Sequence, residues 1–501
     1  MRRRACGAGL IAAIALAACV SPASVQRPAI EAEVPENWNA GPLPEEEVSD
    51  AWWEEFGDAD LNQVVLAALQ NNHDLRAAAA RIDQAVAQAT IAGADLKPAV
   101  GLNVSGARRK QAFVGLPVPG GSGAVLSTTT SSYGAALELS WEIDLWGRLA
   151  AGARAAVADL QAVEADYSGA RLSLAGQVAK SWLAAAEAAQ QVELSRRTVA
   201  SWRRASEQVR DRYERGVRSP LDLRLSLSNL ANAEALLETR LRQQDLTIRQ
   251  IELLLGRYPG RDIPEPRMMP DLPRTIPGGL PADLIARRPD LAAAERRLAA
   301  ADQRLQQARR SLYPRFSLTA SGGTLSNQLG DLVDGDFSVW SIVGNLFQPI
   351  FQGGRLRAGV DFADARTAAA VESYLSAALL AYTEVESALA ADAFLAREDE
   401  RLWESARHAA AARRLAEERY GTGLEEYITV LESQRRELTA EAAALSVRRQ
   451  RLANRVDLYL ALGGGYQRPD AAAGDDGSAA EAAPGNGAPP ATSVASTGAA
   501  P

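Results

Sequence analysis

The sequence predicts a mainly α-helical protein with a transmembrane β part, and three observations carry that expectation. The chain opens on an export signal, its body is an internal duplication, and each half alternates long heptad-patterned runs with short segments of period two.

Met1-Arg2-Arg3-Arg4 is a basic start, Gly9 to Ala18 a short apolar stretch, and Leu16-Ala17-Ala18-Cys19 a small-residue approach to a cysteine. This resembles a bacterial lipoprotein precursor. Residues 1–18 are expected to leave as a signal peptide and Cys19 to be acylated, with palmitate among the expected chains. Val20 and Ser21 follow where an inner-membrane lipoprotein commonly carries Asp, so outer-membrane sorting is implied. Beyond Cys19 no uninterrupted apolar run is long enough for a spanning helix. Any membrane crossing must therefore be β.

The 501 residues carry 54 Lys plus Arg against 62 Asp plus Glu, a net charge of −8. Loss of Arg2, Arg3 and Arg4 with the signal takes this to −11. Such acidity argues against a nucleic-acid partner. Cys6 lies inside the signal, so the mature chain has no disulfide framework and no thiolate metal site. His73 and His408 are far apart and read as surface helix residues. There is no Gly-rich phosphate loop, nucleophile elbow or HExxH. No enzymatic activity, cofactor or metal is expected.

The duplication is read from recurring motifs. Asn72-His73-Asp74-Leu75 returns as Arg288-Pro289-Asp290-Leu291 and Lys97-Pro98 as Tyr313-Pro314, both 216 residues on. Gly147-Arg148-Leu149 returns as Gly354-Arg355-Leu356, Arg212-Tyr213 as Arg419-Tyr420 and Leu255-Gly256 as Leu462-Gly463, all 207 residues on. The difference of 9 residues places one insertion between Pro98 and Leu139.

Within each half, Leu149, Ala153, Ala156, Leu160, Val163, Tyr167, Ala170 and Leu174 step by four and three, a heptad seam. Leu356, Val360, Ala363, Thr367, Ala370, Tyr374, Ala377 and Ala381 repeat it in phase. The first seam continues at Val178 and Trp182 with two steps of four, which relaxes left-handed supercoiling there. From Leu149 no proline intervenes before Pro220, so the helix can run about 100 Å. A second helix, Leu221 to Leu255, returns antiparallel after the turn Arg215 to Pro220, whose counterpart is Gly421-Thr422-Gly423-Leu424.

Segments of period two lie at about 99–106, 133–142, 315–322 and 339–347. Val100, Leu102 and Val104 alternate with Gly101, Asn103 and Ser105, and Leu137, Leu139 and Trp141 alternate with Glu138, Ser140 and Glu142. This is the lipid-out, lumen-in pattern of membrane strands. Four strands cannot close a barrel, and an open edge in hydrocarbon leaves backbone groups unpaired at several kcal/mol each. A membrane-spanning sheet thus requires oligomerisation, though the strands alone do not choose between two chains and three. The full plan is a signal at 1–18, a lipidated segment at 19–57, a first repeat at 58–256, a linker at 257–282, a second repeat at 283–465 and a disordered tail at 466–501.

The motifs Leu16-Ala17-Ala18-Cys19, Trp52-Trp53-Glu54-Glu55-Phe56, Ser140-Trp141-Glu142-Ile143-Asp144-Leu145-Trp146-Gly147-Arg148-Leu149, Arg287-Arg288-Pro289-Asp290-Leu291 and Gln348-Pro349-Ile350-Phe351-Gln352-Gly353-Gly354-Arg355-Leu356 resemble, in this order, the TolC-like outer membrane factor family, especially its OprM-like lipoproteins. The resemblance implies a homotrimer with a 12-helix tunnel and a 12-stranded β-barrel, embedded in outer-membrane lipids. It implies a passive exit duct for drugs, metals or other small molecules, docked to a periplasmic adaptor and an inner-membrane resistance-nodulation-division pump. A type I secretion duct and a non-channel periplasmic coiled-coil lipoprotein are the competing expectations. By resemblance Ile428 matches an apolar constriction ring, Glu432 an acidic ring, Arg435 its basic partner and Asp222 an acid of the first half. Thr429 stands where a second acidic ring would sit, so no strong divalent-cation site is implied. Adaptor contact is expected at Gly216, Val217, Arg218 and Ser219 and at Gly421, Thr422, Gly423 and Leu424.

Overall fold

The computed structural model describes residues 37–39, 44, 48–114, 126–273, 281 and 284–466. The expected signal peptide, Cys19 and the expected disordered tail beyond Tyr466 lie outside them.

Helices α1 (Ala59–Asn71) and α2 (His73–Ala94) lead into strands β1 (Ala99–Phe113) and β2 (Leu126–Ile143), and α3 (Arg148–Glu214) and α4 (Pro220–Leu254) complete the first half. The second half has α5 (Pro289–Arg310), β3 (Arg315–Ser326), β4 (Ser338–Phe347), α6 (Arg355–Gly421) and α7 (Tyr427–Ala461). Corresponding helices match in length: α2 and α5 have 22 residues, α3 and α6 67, and α4 and α7 35. At 1.5 Å per residue each of the longest spans about 100 Å, the length expected from the proline spacing. Among the described residues no helix is long and apolar enough to cross a membrane.

The recurring motifs have a structural reason. Asn72 caps α2, its Oδ1 accepting from the Leu75 N–H at 3.0 Å, while its Nδ2 donates to the Leu254 carbonyl at 2.9 Å. Arg288, in the corresponding place, donates to the Ala461 carbonyl at 3.0 Å and pairs with Asp290 and Glu384, each at 2.7 Å. Both side chains satisfy a carbonyl left over at the C-terminus of the returning helix.

The heptad stepping is present, but in α3 the most deeply buried line is displaced. Ala151, Ala155, Ala158, Ala162 and Ala165 step by four and three and are almost fully buried, whereas Ala156, Leu160 and Val163 of the expected seam are half-buried. Ala158 packs on Ala299 and Ala300, and Ala165 on Ala292 and Ala293. Methyl-sized side chains let the backbones of α3 and α5 approach closely, so that contact takes the alanine line and leaves the larger residues to its flanks.

A core at mid-height joins the N-terminal segment to both halves. Trp52, Trp53 and Phe56, on a short 3-10 turn, pack with Leu61, Trp182, Ile251, Leu452 and Tyr459. Trp52 stacks on Tyr459 with centroids 5.3 Å apart. Trp182 Nε1 donates to Asp58 Oδ2 at 2.8 Å while Asp58 Oδ1 caps the start of α1. A second core gathers Trp38, Leu284, Leu291, Val385, Leu389 and Leu458.

The four strands form one antiparallel sheet in the order β1-β2-β3-β4. The first hairpin is longer than its apolar alternation predicts, with β1 reaching Phe113 and β2 beginning at Leu126. The extra length, from Gly106 outward, is rich in Arg, Lys, Ser and Thr, so no hydrophobic pattern announces it. Backbone pairing continues there unbroken from Gly106↔Tyr133 to Phe113↔Leu126, favoured by the β propensity of Thr128, Thr129 and Thr130.

Candidate functional site

Two regions carry the expected function: the apolar face of the sheet, and the end of the helices where α3 turns into α4 and α6 into α7. The register puts residues of all four strands on common faces. Val100 lies opposite Leu139, Leu139 opposite Ala320, and Ala320 opposite Ile342. Leu102, Leu137, Gly322 and Trp340 form the next row, and Trp141 and Leu318 lie on the other side of the first. Leu102 and Trp340 are 70% and 79% exposed in the single chain. Such a contiguous apolar face calls for a nonaqueous neighbour. The alternate face is polar, with Asn103 Nδ2 donating to Glu138 at 3.0 Å and the Ser321 and Ser341 hydroxyls 2.9 Å apart. From Ile143 to Tyr133 the apolar face runs about 34 Å along the strand, or about 24 Å at a 45° tilt, the thickness of an outer-membrane hydrocarbon band.

At the other end both turns adopt one geometry. Gly216 has φ +73° and Gly423 φ +81°. The Gly216 N–H reaches the Tyr213 carbonyl and the Val217 N–H that of Arg212, both at 2.9 Å; Gly423 reaches Tyr420 at 3.1 Å and Leu424 reaches Arg419 at 2.9 Å. These paired bonds close the last helical turn around a left-handed residue, the conformation glycine tolerates best. Gly421 is still helical, so the second turn begins one residue later than expected. Pro220 starts α4, with Ser219 Oγ accepting from the Asp222 N–H at 3.2 Å.

The two turns are locked within the chain. Tyr420 is buried, and the guanidinium groups of Arg212 and Arg218 lie 4.7 and 4.9 Å from its ring centroid. Tyr427 sits 5.4 Å from Tyr420, and the pair packs with Val209, Ala416, Val430 and Leu431. Burial, with Tyr420 adding to it, pushes the Tyr427 phenol up to about 12. Sequence reasoning used Arg212-Tyr213 and Arg419-Tyr420 only as repeat markers and missed this lock.

Glu432 and Arg435 come together. The Glu432 carboxylate accepts from Arg435 Nε at 3.0 Å and Nη2 at 2.9 Å, and from Arg436 Nε at 2.8 Å. The guanidinium of Arg436, the partner missed from sequence, and then that of Arg435 hold the Glu432 carboxyl below its usual range. Ile428 is exposed one turn before Glu432. Asp222 belongs to the other turn, and among the described residues no hydrogen bond or ion pair joins it to Glu432 or Arg435.

A duplicated pair of long helical hairpins, joined to a four-stranded sheet with an outward apolar face, defines an outer-membrane channel of the TolC-like type. The family model described as "Outer membrane efflux protein" matches residues 64–257 and 280–464, one match to each half. The chain is similar to outer membrane protein OprJ of Pseudomonas aeruginosa, with 35% identity over 93% of this chain and 97% of that one. It is also similar to the pyoverdine export outer membrane protein OpmQ of Pseudomonas putida, with 32% identity over 83% and 88%. Its fold matches the solved open state of the MtrE outer membrane channel of Neisseria gonorrhoeae, with a TM-score of 0.79, 28% identity, and coverage of 90% and 99%. The chain belongs to the outer membrane efflux protein family and is an outer-membrane channel component of an efflux system.

Proposed function

We propose that the protein is a lipid-anchored homotrimer serving as the passive exit duct of a tripartite pump, with a periplasmic adaptor and an inner-membrane resistance-nodulation-division transporter as partners. The observation that carries the assembly is the contrast between α3 and α6. In α3 the alanine line is covered by α5; its counterparts in α6, namely Ala358, Phe362, Ala365 and Ala369, are exposed. Helix α2, the counterpart of α5, is itself mostly exposed. Repeating the α3–α5 contact between α6 of one chain and α2 of the next covers both. The same repetition pairs β4 with the next chain's β1 and satisfies the free edges. Three chains supply twelve strands and, from α3, α4, α6 and α7 of each, twelve long helices. The expected cargo is small molecules, by likeness to the pyoverdine export protein OpmQ.

In this reading Cys19 carries the lipid after removal of residues 1–18, residues 19–57 link it to the repeats at 58–256 and 283–465, and the residues beyond Tyr466 are a dispensable tail, Tyr466 itself packing against Ala165, Ala292 and Ala293. The turns at Gly216–Ser219 and Gly421–Leu424 receive the adaptor. Ile428, Glu432 and Arg435 line the resting constriction, with Asp222 on the neighbouring hairpin. Intrachain pairing of each Glu432 with two arginines keeps three carboxylates compatible around a narrow axis.

Native mass measurement and imaging of detergent-purified protein test the assembly. Three chains per particle and a hollow rod containing a tunnel of about 100 Å are expected; a compact monomer overturns it. Combined Glu432→Ala and Arg435→Ala substitutions are expected to raise single-channel conductance and antibiotic leakage. Unchanged values would remove these residues from the gate.

A further inference from the structure

The first hairpin continues past the apolar face, and the register shows what it carries there. Even-numbered positions of β1 share a face, and the pairing with β2 runs from Ala99↔Ser140 to Phe113↔Leu126 without a bulge. Val100, Leu102 and Val104 are therefore followed on the same outward side by Gly106, Arg108 and Lys110. Tyr133, opposite Gly106, ends the apolar rows with an amphipathic aromatic, the residue type found where a barrel meets the headgroup layer. Arg108 and Lys110 lie two and four residues farther along β1, about 7 and 14 Å along the strand. Because β1 leaves the helices at Ala99, this is the end remote from the periplasmic helices. Arg109 alternates to the other face.

Both cations are exposed and lack an acidic partner among the described residues. Their opposite numbers on β2 are Ser131 and Thr129. No carboxylate occurs in the sequence from Gln111 to Leu137. In the second hairpin Asp331 accepts from Ser326 Oγ at 2.7 Å and Asp334 from the Asp336 N–H at 3.2 Å, so both are engaged within that hairpin. The Asp336 carboxylate makes no such contact among the described residues and is the one rival anion of that hairpin; within the chain the lipid-facing cations have no counter-charge, and the membrane can supply one.

We propose that Arg108 and Lys110 form a binding site for the phosphate groups of an anionic glycolipid in the outer leaflet. The guanidinium supplies a planar fork and the ammonium a point charge, a combination suited to phosphate oxygens. Thr129 and Ser131 place hydroxyl donors in the same rows. The site rests on the channel reading, which sets the outward face.

The test uses detergent-purified full-length protein, with native mass spectrometry reading bound lipid. The probes are diphosphorylated glucosamine-disaccharide lipid (lipid A), its dephosphorylated form and inorganic phosphate. The parent is expected to prefer the diphosphorylated lipid. Combined Arg108→Gln and Lys110→Gln substitutions are expected to weaken that binding roughly thirtyfold while leaving single-channel conductance unchanged. Equal binding of the two lipids, or full retention by the variant, overturns the site. Inorganic phosphate competing as well as the lipid would assign a soluble anion instead and also overturn it. Loss of oligomer heat resistance in lipid-free detergent, shared by the double variant and Asp336→Asn, would assign an ion pair between copies and overturn it likewise. A parent that forms no conducting oligomer fails the underlying channel reading, a result separate from lipid preference.

Discussion

Helices α3 and α6 have the same length and the same place in their repeats, yet they meet different surroundings. Ala155 of α3 is 2% exposed, while Phe362, its counterpart 207 residues on, is 64% exposed. The tyrosines near the helix ends repeat the contrast: Tyr420 is 5% exposed and Tyr213 39%. A duplicated chain can satisfy one copy of a contact internally, and the second copy then has to find its partner in another molecule. In the proposed assembly, another chain covers the half that is exposed, and the intact contact is its template.

In the mid-height cores, by contrast, both halves are complete within one chain, and the largest effects are expected there. Trp182→Ala should cost about 3–5 kcal/mol and its counterpart Leu389→Ala about 2–5 kcal/mol. Trp182 is the costlier because Asp58 also loses a donor. Denaturant unfolding of the detergent-solubilised protein measures both, and a smaller loss at Trp182 would contradict the packing described. At the helix ends, Tyr420→Ala should loosen the turn by about 3 kcal/mol in any state of assembly. Tyr213→Ala should approach that effect only in the oligomer. Hydrogen exchange of the turn amides in dissociated and assembled protein separates the two, and an equal effect on the dissociated chain would end the argument from duplication.

The glycines give a smaller contrast. Gly423→Ala forces a side chain into the left-handed region and should destabilise by about 1–2 kcal/mol, whereas Gly421→Ala, within α6, should stabilise by about 0.5–1 kcal/mol. Thermal melts decide it, and matching signs would misplace the turn. The smallest effect is the pH dependence of Glu432. Its carboxyl is held below the ordinary range in the folded chain, so its pairing is fully present above the ordinary glutamate pKa and is lost as pH falls through the lowered value. Parent and Glu432→Gln should therefore converge in acid and separate toward neutral pH, with the parent the more stable. Convergence at neutral pH instead would show the pairing idle.

Much of this fold was legible in the sequence because chain-wide regularities report it. Proline spacing set the long helices, the 207-residue offset aligned the halves, and alternation placed Val100, Leu102 and Leu139 on one face. The displaced alanine line was not legible, because a helix in a single layer has two flanks and heptad stepping does not say which flank is tighter. The far end of β1 escaped because paired backbone needs no apolar pattern outside the membrane. Of the candidate site, Glu432 and Arg435 could be matched at three residues' spacing, and Arg436 one position on could not be ranked beside them. The Arg212–Tyr420 contact bridges some two hundred residues and has no local signature. Sequence could mark both as repeated and say nothing of their meeting.

The matched lengths of α3 with α6 and α4 with α7 make the reach of the duct a stepwise quantity. Removing residues from one helix alone would misalign the knobs and holes along every contact below the cut. A shorter or longer relative must change all four helices together and keep the stepping, by about 10.5 Å for each heptad. The reach of the helices is thereby set in steps that all four share, and the two steps of four at Val178 and Trp182 show that a step need not be a whole heptad.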